Sequence, residues 1–390
     1  MNHDIVIVAA KRTPIGNLLG SLSTLTAPQL AAHTLQACLA EANMSPEPID
    51  EVILGCVLSA GIGQAPARQA TLHAGLPNST PATTLNKMCG SGMKAIIQAT
   101  DSLRAESANI ILAGGMESMS NAPYLLAKAR KGYRLGHGTL QDHLFLDGLE
   151  DAYEPGKPMG AFAEISAHTQ HISREEQDAF AHQSLERSLE AQTQGYFRNE
   201  IAPIPLSQTT EIQQDENPSA DKLEKISRLK PIFQADGSIT AASSSSISDG
   251  AATLLIMTSA EAQRRGCTPL ARIVAHATHA QAPAEFCLAP ISAIQKVLHK
   301  ANWKASEVDL FEINEAFAVV ALLAMKSLHL PLEKVNIHGG ACALGHPIGA
   351  SGARIVVTLL HALRRLHKKR GVASLCIGGG EATALAIECF

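Results

Sequence analysis

At 390 residues, with 46% hydrophobic residues and no long polar tract, the chain has material for a large core and for two or three domains. A formal net charge of −4 argues against general binding to nucleic acid or an anionic membrane, so any anionic ligand must be met by a local basic patch. Eight cysteines without a C-x-x-C pair, and sixteen histidines without H-E-x-x-H spacing, suit reduced thiols and argue against a disulfide framework or a metal site.

In chain order, Asp4 leads directly into the apolar run Ile5 to Ala10, which reads as a first strand with no basic n-region or cleavable segment before it. No apolar run reaches the ~20 residues that span a bilayer. The final Glu388-Cys389-Phe390 is neither a peroxisomal signal nor a prenylation box, so the expected location is the cytoplasm. Apolar spacing predicts a helix over Ala27 to Asn43, a strand over Val52 to Leu58 and a turn into a helix after Gly63. A short strand Ala82 to Leu85, a helix carrying Met93, Ile96, Ile97, Thr100 and Leu103, and a strand from Asn109 to Glu117 follow. Alternation of strands and helices implies a mostly parallel sheet covered on both faces, an α/β fold.

The C-terminal part repeats the plan. Strands are predicted at Ala271 to Ala277, Val308 to Ile313, Lys334 to His338 and Val372 to Ile377, with helices at Ile291 to Ala301, Ala316 to Leu328 and Ser351 to His367. Gly378-Gly379-Gly380-Glu381 turns straight into a strand, Ala382 to Ile387, whereas Gly114-Gly115-Met116-Glu117 does not. The partner of that earlier strand is Ala251 to Met257, which makes Ser118 to Ile247 an insertion in the first half's terminal hairpin. The insertion is polar, with a helix from Arg174 to Gln194, and reads as a lid or binding loop over the strand ends rather than a linker. The expected division is 1–117 plus 248–268, an inserted 118–247, and 269–390.

Cys89 falls on a strand-to-helix turn between Gly90-Ser91-Gly92 and the preceding strand. Glycines let the backbone approach a substrate, and the amides opening the helix favour nearby negative charge, so a depressed thiol pKa is expected. A single cysteine is otherwise most often a small buried hydrophobe. Three further stretches supply partners in glycine-flanked or strand-end settings: Asn314-Glu315-Ala316-Phe317-Ala318, Gly345-His346-Pro347 within Asn336 to Gly352, and Cys376-Ile377-Gly378. Taken alone, Cys376 reads as core, and Asn314 reads as a cap for the helix containing Phe317.

Together and in this order, these motifs resemble the thiolase family, the acetyl-CoA C-acyltransferases, over Asp4 to Glu388. The resemblance implies a thiolase-like fold: two similar α/β halves forming a five-layered αβαβα core, with an inserted cap domain. It implies that Cys89 carries the acyl group, that His346 takes its proton, and that Cys376 exchanges a proton with the α-carbon of the second acetyl-CoA. Asn314, through a water, would stabilise the enolate with His346, and the amides of Cys89 and Gly378 would hold the acyl oxyanion. For coenzyme A it points to Ser245, Phe233, Met159, Lys225 and Phe317. Lys225 belongs to a basic run with Lys222, Arg228 and Lys230 that suits a phosphate or a solvated face. Asn217-Pro218-Ser219 stands where many members have an arginine, and Ser243 where the family has asparagine.

The implied function is reversible condensation of two acetyl-CoA to acetoacetyl-CoA plus CoA. The rivals are a longer-chain 3-ketoacyl-CoA thiolase of fatty-acid degradation and a non-catalytic acyl-CoA or lipid binder. Coenzyme A enters as substrate, with no permanently bound cofactor, no nucleic-acid or membrane partner, and a homotetramer or at least a dimer as the assembly. Phe286-Cys287-Leu288-Ala289-Pro290 is bulkier than the Met-Gly-x-Gly-Pro of relatives, which implies a short acyl pocket.

Overall fold

A computed structural model describes residues 4–207 and 209–390; Met1 to His3, ahead of the first strand, lie outside the described residues. The first half contains β1 (Ile5–Arg12), a short β2 (Gly16–Asn17), α1 (Ala27–Glu41), β3 (Glu51–Gly55), α2 (Pro66–His73), β4 (Ala82–Leu85), α3 (Ser91–Arg104) and β5 (Ile110–Ser118). The chain then leaves the sheet. It forms a small ribbon of β6 (Tyr124–Leu125) and β7 (Gln141–Asp142), the helices α4 (Met159–Thr169) and α5 (Arg174–Thr193), and a second ribbon of β8 (Ile204–Pro205) and β9 (Glu211–Ile212). It returns as β10 (Ser248–Thr258), followed by α6 (Ser259–Arg265). The second half runs β11 (Ala271–Ala280), α7 (Ala289–Ala301), β12 (Leu310–Ile313), α8 (Ala318–Leu328), the single-turn α9 (Ala341–Leu344), α10 (Ile348–Arg365), β13 (Arg370–Ile377) and β14 (Glu381–Cys389).

The strands order as β4-β3-β5-β10-β1 in one half and β12-β13-β14-β11 in the other, parallel only at β4-β3-β5 and β12-β13. The mostly parallel sheet expected from the alternation thus gives way to antiparallel pairing where a hairpin closes each half, where β1 and β11 flank that hairpin, and where the halves join. β5 and β10 are antiparallel neighbours from Asp249↔Ser118 to Met257↔Ile110, so the chain closes this hairpin across the whole insertion. The corresponding β13 and β14 pair through a tight turn, from Ile377↔Glu381 to Arg370↔Glu388. The repeat extends to irregularities: β1 slips register against β10 between Ile7 and Ala9, and β11 slips against β14 between Ile273 and Ala275. The two half-sheets join where Ile5–Ile7 pairs with Ala271–Ile273. One predicted strand shrinks: of Lys334 to His338, only Val335 bridges to Phe311, at the sheet edge that β4 occupies in the first half.

Five layers follow from which helices are buried all round. α1 shows a buried face against β10, β5 and β1, and α7 a buried face against β11, β14 and β13, so these are outer layers. In α10, 15 of 18 residues are buried, because it lies against β10 and β5 of one half and β13 and β12 of the other. α3 packs beside it, and the two form the middle layer. Their close approach depends on missing side chains: a Cβ on Gly92 would lie 2.8 Å from the Ala353 amide nitrogen, and one on Gly115 would overlap the Gly349 carbonyl oxygen.

Gly115→Ala therefore forces backbone apart at the middle layer and should cost about 1–3 kcal/mol in urea unfolding. A cost within the ~0.5 kcal/mol typical of surface changes would show that the helix crossing relaxes freely.

Candidate active site

The turn from β4 to α3 is braced by its own polar groups. The Asn86 side-chain oxygen accepts from the Met88 amide (2.8 Å), and Ser91 Oγ accepts from the Lys87 amide (2.8 Å) while donating to the Met88 carbonyl (2.6 Å). Met88 takes φ +47, a left-handed conformation that costs a non-glycine residue of order 1 kcal/mol and is held here by the surrounding bonds. The Lys87 ammonium pairs with Glu381, at the start of β14. Cys89, next in line, is half-buried and opens into a cavity of ≈ 510 Å³.

The same cavity is lined by His346, Cys376, Gly378, Met159, Ser245 and Phe317. His346 precedes α10 as Cys89 precedes α3, and Cys376 and Gly378 come from the end of β13, so the repeat itself converges these groups. The His346 Nδ1 lies 2.6 Å from Ser351 Oγ, and that hydroxyl lies 2.9 Å from the Pro347 carbonyl. The ring proton and the hydroxyl both find acceptors if Nδ1–H donates to Ser351 and Ser351 donates to the carbonyl. Nε2, buried and without a partner, is then a bare lone pair available to act as a base. Asn314 is fully buried and does not line the cavity. Its Nδ2 approaches His346 Nδ1 at 3.5 Å, and its Oδ1 receives Arg354 Nη2 at 3.4 Å. It does not cap α8, whose N-cap is Phe317.

Burial sets the resting charges. It pushes the Cys89 thiol up to about 11, against hydrogen bonds from the backbone N–H groups of Gly378 and of Cys89 itself that pull it down. The depressed pKa expected from the helix terminus is thus overturned, because desolvation of a thiolate in this floor outweighs two amide donors. Burial, with Arg354 second, brings His346 down to about 3, so the imidazole is neutral and its Nε2 can accept a proton. Burial likewise raises Cys376 well above the ordinary thiol value, reinforced by Cys287 and Cys89 nearby. The two amides that reach the Cys89 sulfur are also the two named for an acyl oxyanion.

The residues named for coenzyme A divide. Ser245, Met159 and Phe317 line the catalytic cavity. Phe233 sits behind them, over Gly160 and edge-on to Phe317 with ring centroids 5.8 Å apart. Lys225 is elsewhere: exposed and paired with Asp221 at 2.6 Å, it borders a separate cavity of ≈ 290 Å³ with Lys222. Lys222 is held by Asn217, whose backbone and side-chain oxygens it reaches at 2.6 and 2.8 Å.

Sequence reasoning missed several groups. Ser351 was in view but had no role; its signal is a hydroxyl five residues after His346 in a helix that opens behind Pro347. The wall made by His143, Asp147 and Tyr153 had no signal, since this segment forms an irregular turn of π-helix, Phe145–Leu149. Glu117 accepts from the amides of Val57 (3.0 Å), Leu58 (3.1 Å) and Gly349 (2.8 Å), tying the start of α10 to the loop after β3. Burial holds its carboxyl up at about 7 despite those donors.

A cysteine with two amides at its sulfur, a neutral imidazole and a second thiol in one cavity is the equipment of an acyl-transfer enzyme. The family model for the thiolase N-terminal domain matches residues 5–260, and that for the thiolase C-terminal domain matches 267–389. The chain belongs to the thiolase family and is an acyltransferase. It is 46% identical to the acetyl-CoA acetyltransferase of Allochromatium vinosum, covering 100% of both chains. It is 48% identical to acetyl-CoA acetyltransferase 1 of Arabidopsis thaliana, over 99% of this chain and 94% of that one. The crystal structure of the Bacillus anthracis acetyl-CoA acetyltransferase superposes with a TM-score of 0.96 at 41% identity, covering both chains fully.

With the thiol at about 11, alkylation of Cys89 by iodoacetamide should rise with pH through pH 10, because the thiolate fraction keeps growing below that pKa. A rate that levels off by pH 8 would mean that the resting state is already a thiolate.

Proposed function

We propose that the protein is an acetyl-CoA C-acetyltransferase, converting two acetyl-CoA reversibly to acetoacetyl-CoA and CoA. The observation that carries this reading is the convergence of Cys89, His346 and Cys376 on one cavity, with the Gly378 amide at the Cys89 sulfur. His346 Nε2 takes the Cys89 proton as the sulfur attacks the thioester carbonyl, and the amides of Cys89 and Gly378 hold the resulting oxyanion. Loss of one such donor typically costs about 2.7–4 kcal/mol. The departing CoA thiolate takes its proton from Cys376, leaving acetyl-Cys89, an imidazolium and a Cys376 thiolate. That thiolate removes an α-proton from the second acetyl-CoA, and the enolate oxygen is met by His346 and by Asn314 through a water. The enolate carbon attacks acetyl-Cys89, and the freed sulfur regains its proton from His346, so protons balance over the cycle.

The chain division supports a cap. We assign 1–117 with 248–268, and 269–390, to the two catalytic halves, and 118–247 to a cap that covers coenzyme A, since it supplies Met159, Tyr153, Asp147 and Ser245 to the cavity wall together with its border. Phe233 would flank the pantetheine channel from behind Phe317, and Lys225 would reach a phosphate only on leaving Asp221. Assembly as a homotetramer is supported by large apolar side chains left exposed on the segment after β5: Tyr124 at 66%, Leu135 at 99% and Leu140 at 66%. Cytoplasmic action in acyl-CoA and fatty-acid metabolism fits these substrates, and no helix among the described residues is long and apolar enough to cross a membrane.

Chain length is what separates this reading from the longer-chain one. Phe286 stands on the cavity wall edge-on to Phe317 at 6.2 Å, whereas Leu288 lies off the wall, half-buried against the core. Phe286→Ala should raise thiolysis of 3-ketohexanoyl-CoA relative to acetoacetyl-CoA by about tenfold or more, the worth of a methylene or two in an apolar pocket. An unchanged ratio of kcat/KM would remove Phe286 from the specificity wall.

The two half-reactions should separate by mutation. Cys376→Ser keeps size but raises the side-chain pKa far above a thiol's, so the variant should still acetylate Cys89 slowly while losing acetoacetyl-CoA turnover and deuterium exchange at the acetyl methyl. Wild-type methyl deuteration in that variant would hand the base role to another residue, His346 first.

A further inference from the structure

α10 is buried on nearly every side, yet it carries a polar stripe at Ser351, Arg354 and Thr358, spaced along one helix face. Ser351 fixes the His346 ring, and Thr358 donates to Glu200 at 3.0 Å. Arg354 lies between them, 2% exposed, with Nη2 3.4 Å from Asn314 Oδ1 and Nη1 3.5 Å from Glu312 Oε2. Its Nε and Nη1 have no hydrogen-bond partner. The charged groups around it are Glu312 on β12, Glu315 after it, Glu200 from the insertion and Arg12 on β1. A long-range, poorly bonded buried guanidinium is a weak way to stabilise a fold, because its desolvation cost is not recovered by good geometry. It does settle one thing. An asparagine amide can turn either way, and with Oδ1 held by Arg354 its NH2 must face the His346 side.

We propose that Arg354 is the positioning residue of the Asn314–His346 pair: it locks the Asn314 amide with its N–H on the His346 side, and its charge favours a neutral resting imidazole whose Nε2 is free to take the Cys89 proton. This rests on the assignment of Asn314 to the enolate in the reaction above. Ser351 and Arg354, one turn apart on α10, thereby orient both donors of one oxyanion site, and β12 contributes Glu312 as the counter-charge to Arg354.

The test uses the full chain and two half-reactions, acetylation of Cys89 by acetyl-CoA and deuteration of the acetyl methyl. Arg354→Met combined with Glu312→Gln removes the ion pair together and leaves no lone buried charge. Methyl deuteration should drop ~100-fold, as for a misplaced catalytic group, while Cys89 still reaches full acetylation. The acid limb of acetylation should move to higher pH, because without the neighbouring cation the imidazole holds a proton more readily. Arg354→Lys should restore that acid limb but not deuteration, since an ammonium keeps the charge without the planar fork. Should the double variant not fold, the lysine variant alone carries the test. In an Asn314→Ala background the Arg354 changes should cost deuteration nothing more. A full additional loss in that background, or unchanged deuteration with Asn314 intact, overturns the proposal. If Asn314→Ala by itself leaves deuteration at the wild-type rate, the assignment of Asn314 is wrong and the proposal falls with it, a result visible before Arg354 is touched.

Discussion

Everything in the site depends on how closely α3 and α10 can approach. These helices occupy the middle of five layers, and each begins immediately after one of the two catalytic loops. Gly92 lies against the backbone of Gly349, Ala350 and Ala353, and Gly352 lies against the backbone of Met93. With side chains there, the two helices would stand apart by the width of a methyl group at least, and the loop ends carrying Cys89 and His346 would separate with them. Gly115 on β5 and Gly349 extend the same contact to the sheet, and Glu117 clamps the start of α10 through the Gly349 amide. The internal repeat therefore matters chemically: two copies of a strand-loop-helix unit, packed helix to helix, present two loops to one cavity.

Burial then decides the protonation states. Desolvation favours a neutral thiol at Cys89, a neutral imidazole at His346 and a neutral thiol at Cys376. Three uncharged reacting groups have little hydration to shed when the substrate enters, and the amide donors beside them act in a low-dielectric space where they are worth most. Charge appears only as bonds change, and the same groups neutralise it at the end of the cycle.

The insertion is fastened to this core by a buried ion cluster rather than by apolar packing alone. Arg12, at the end of β1, meets Glu200 at 2.6 Å and Asp215 at 2.6 and 3.0 Å, and Asp215 also accepts from the Ile15 amide at 2.9 Å. Removing one member would strand buried charge, so the geometry is stiff. α4, which begins at Met159 on the cavity wall, packs instead against α8 and the Pro283–Leu288 segment of the second half. Within the insertion, Glu164 on α4 takes the amides of Ser238 and Ile239, which holds the Phe233 loop over Gly160.

The sequence by itself determined the repeat, the identity of nearly every long strand and helix, and the closing of β5 against β10 across some 130 residues, because apolar periodicity and glycine punctuation are local signals. It also singled out Cys89, His346, Cys376 and Gly378, though only a resemblance joined them; spacing alone left Cys376 as core and Asn314 as a cap. Element ends drifted where the chain makes sharp turns: α10 starts at Ile348, three residues before the helical pattern suggested, and Lys334 to His338 lost its strand at a sheet edge. What only the tertiary structure decided is long-range. The Cys89 pKa follows from how many atoms surround the sulfur, which reverses the expectation drawn from the helix terminus. Asn314 stands behind His346 because Arg354, forty residues later in the chain, holds its oxygen. Lys225 is spent on Asp221, four residues away, and not on the catalytic cavity. Burial, amide orientation and competition between partners are properties of the packed whole, and no local pattern of residues encodes them.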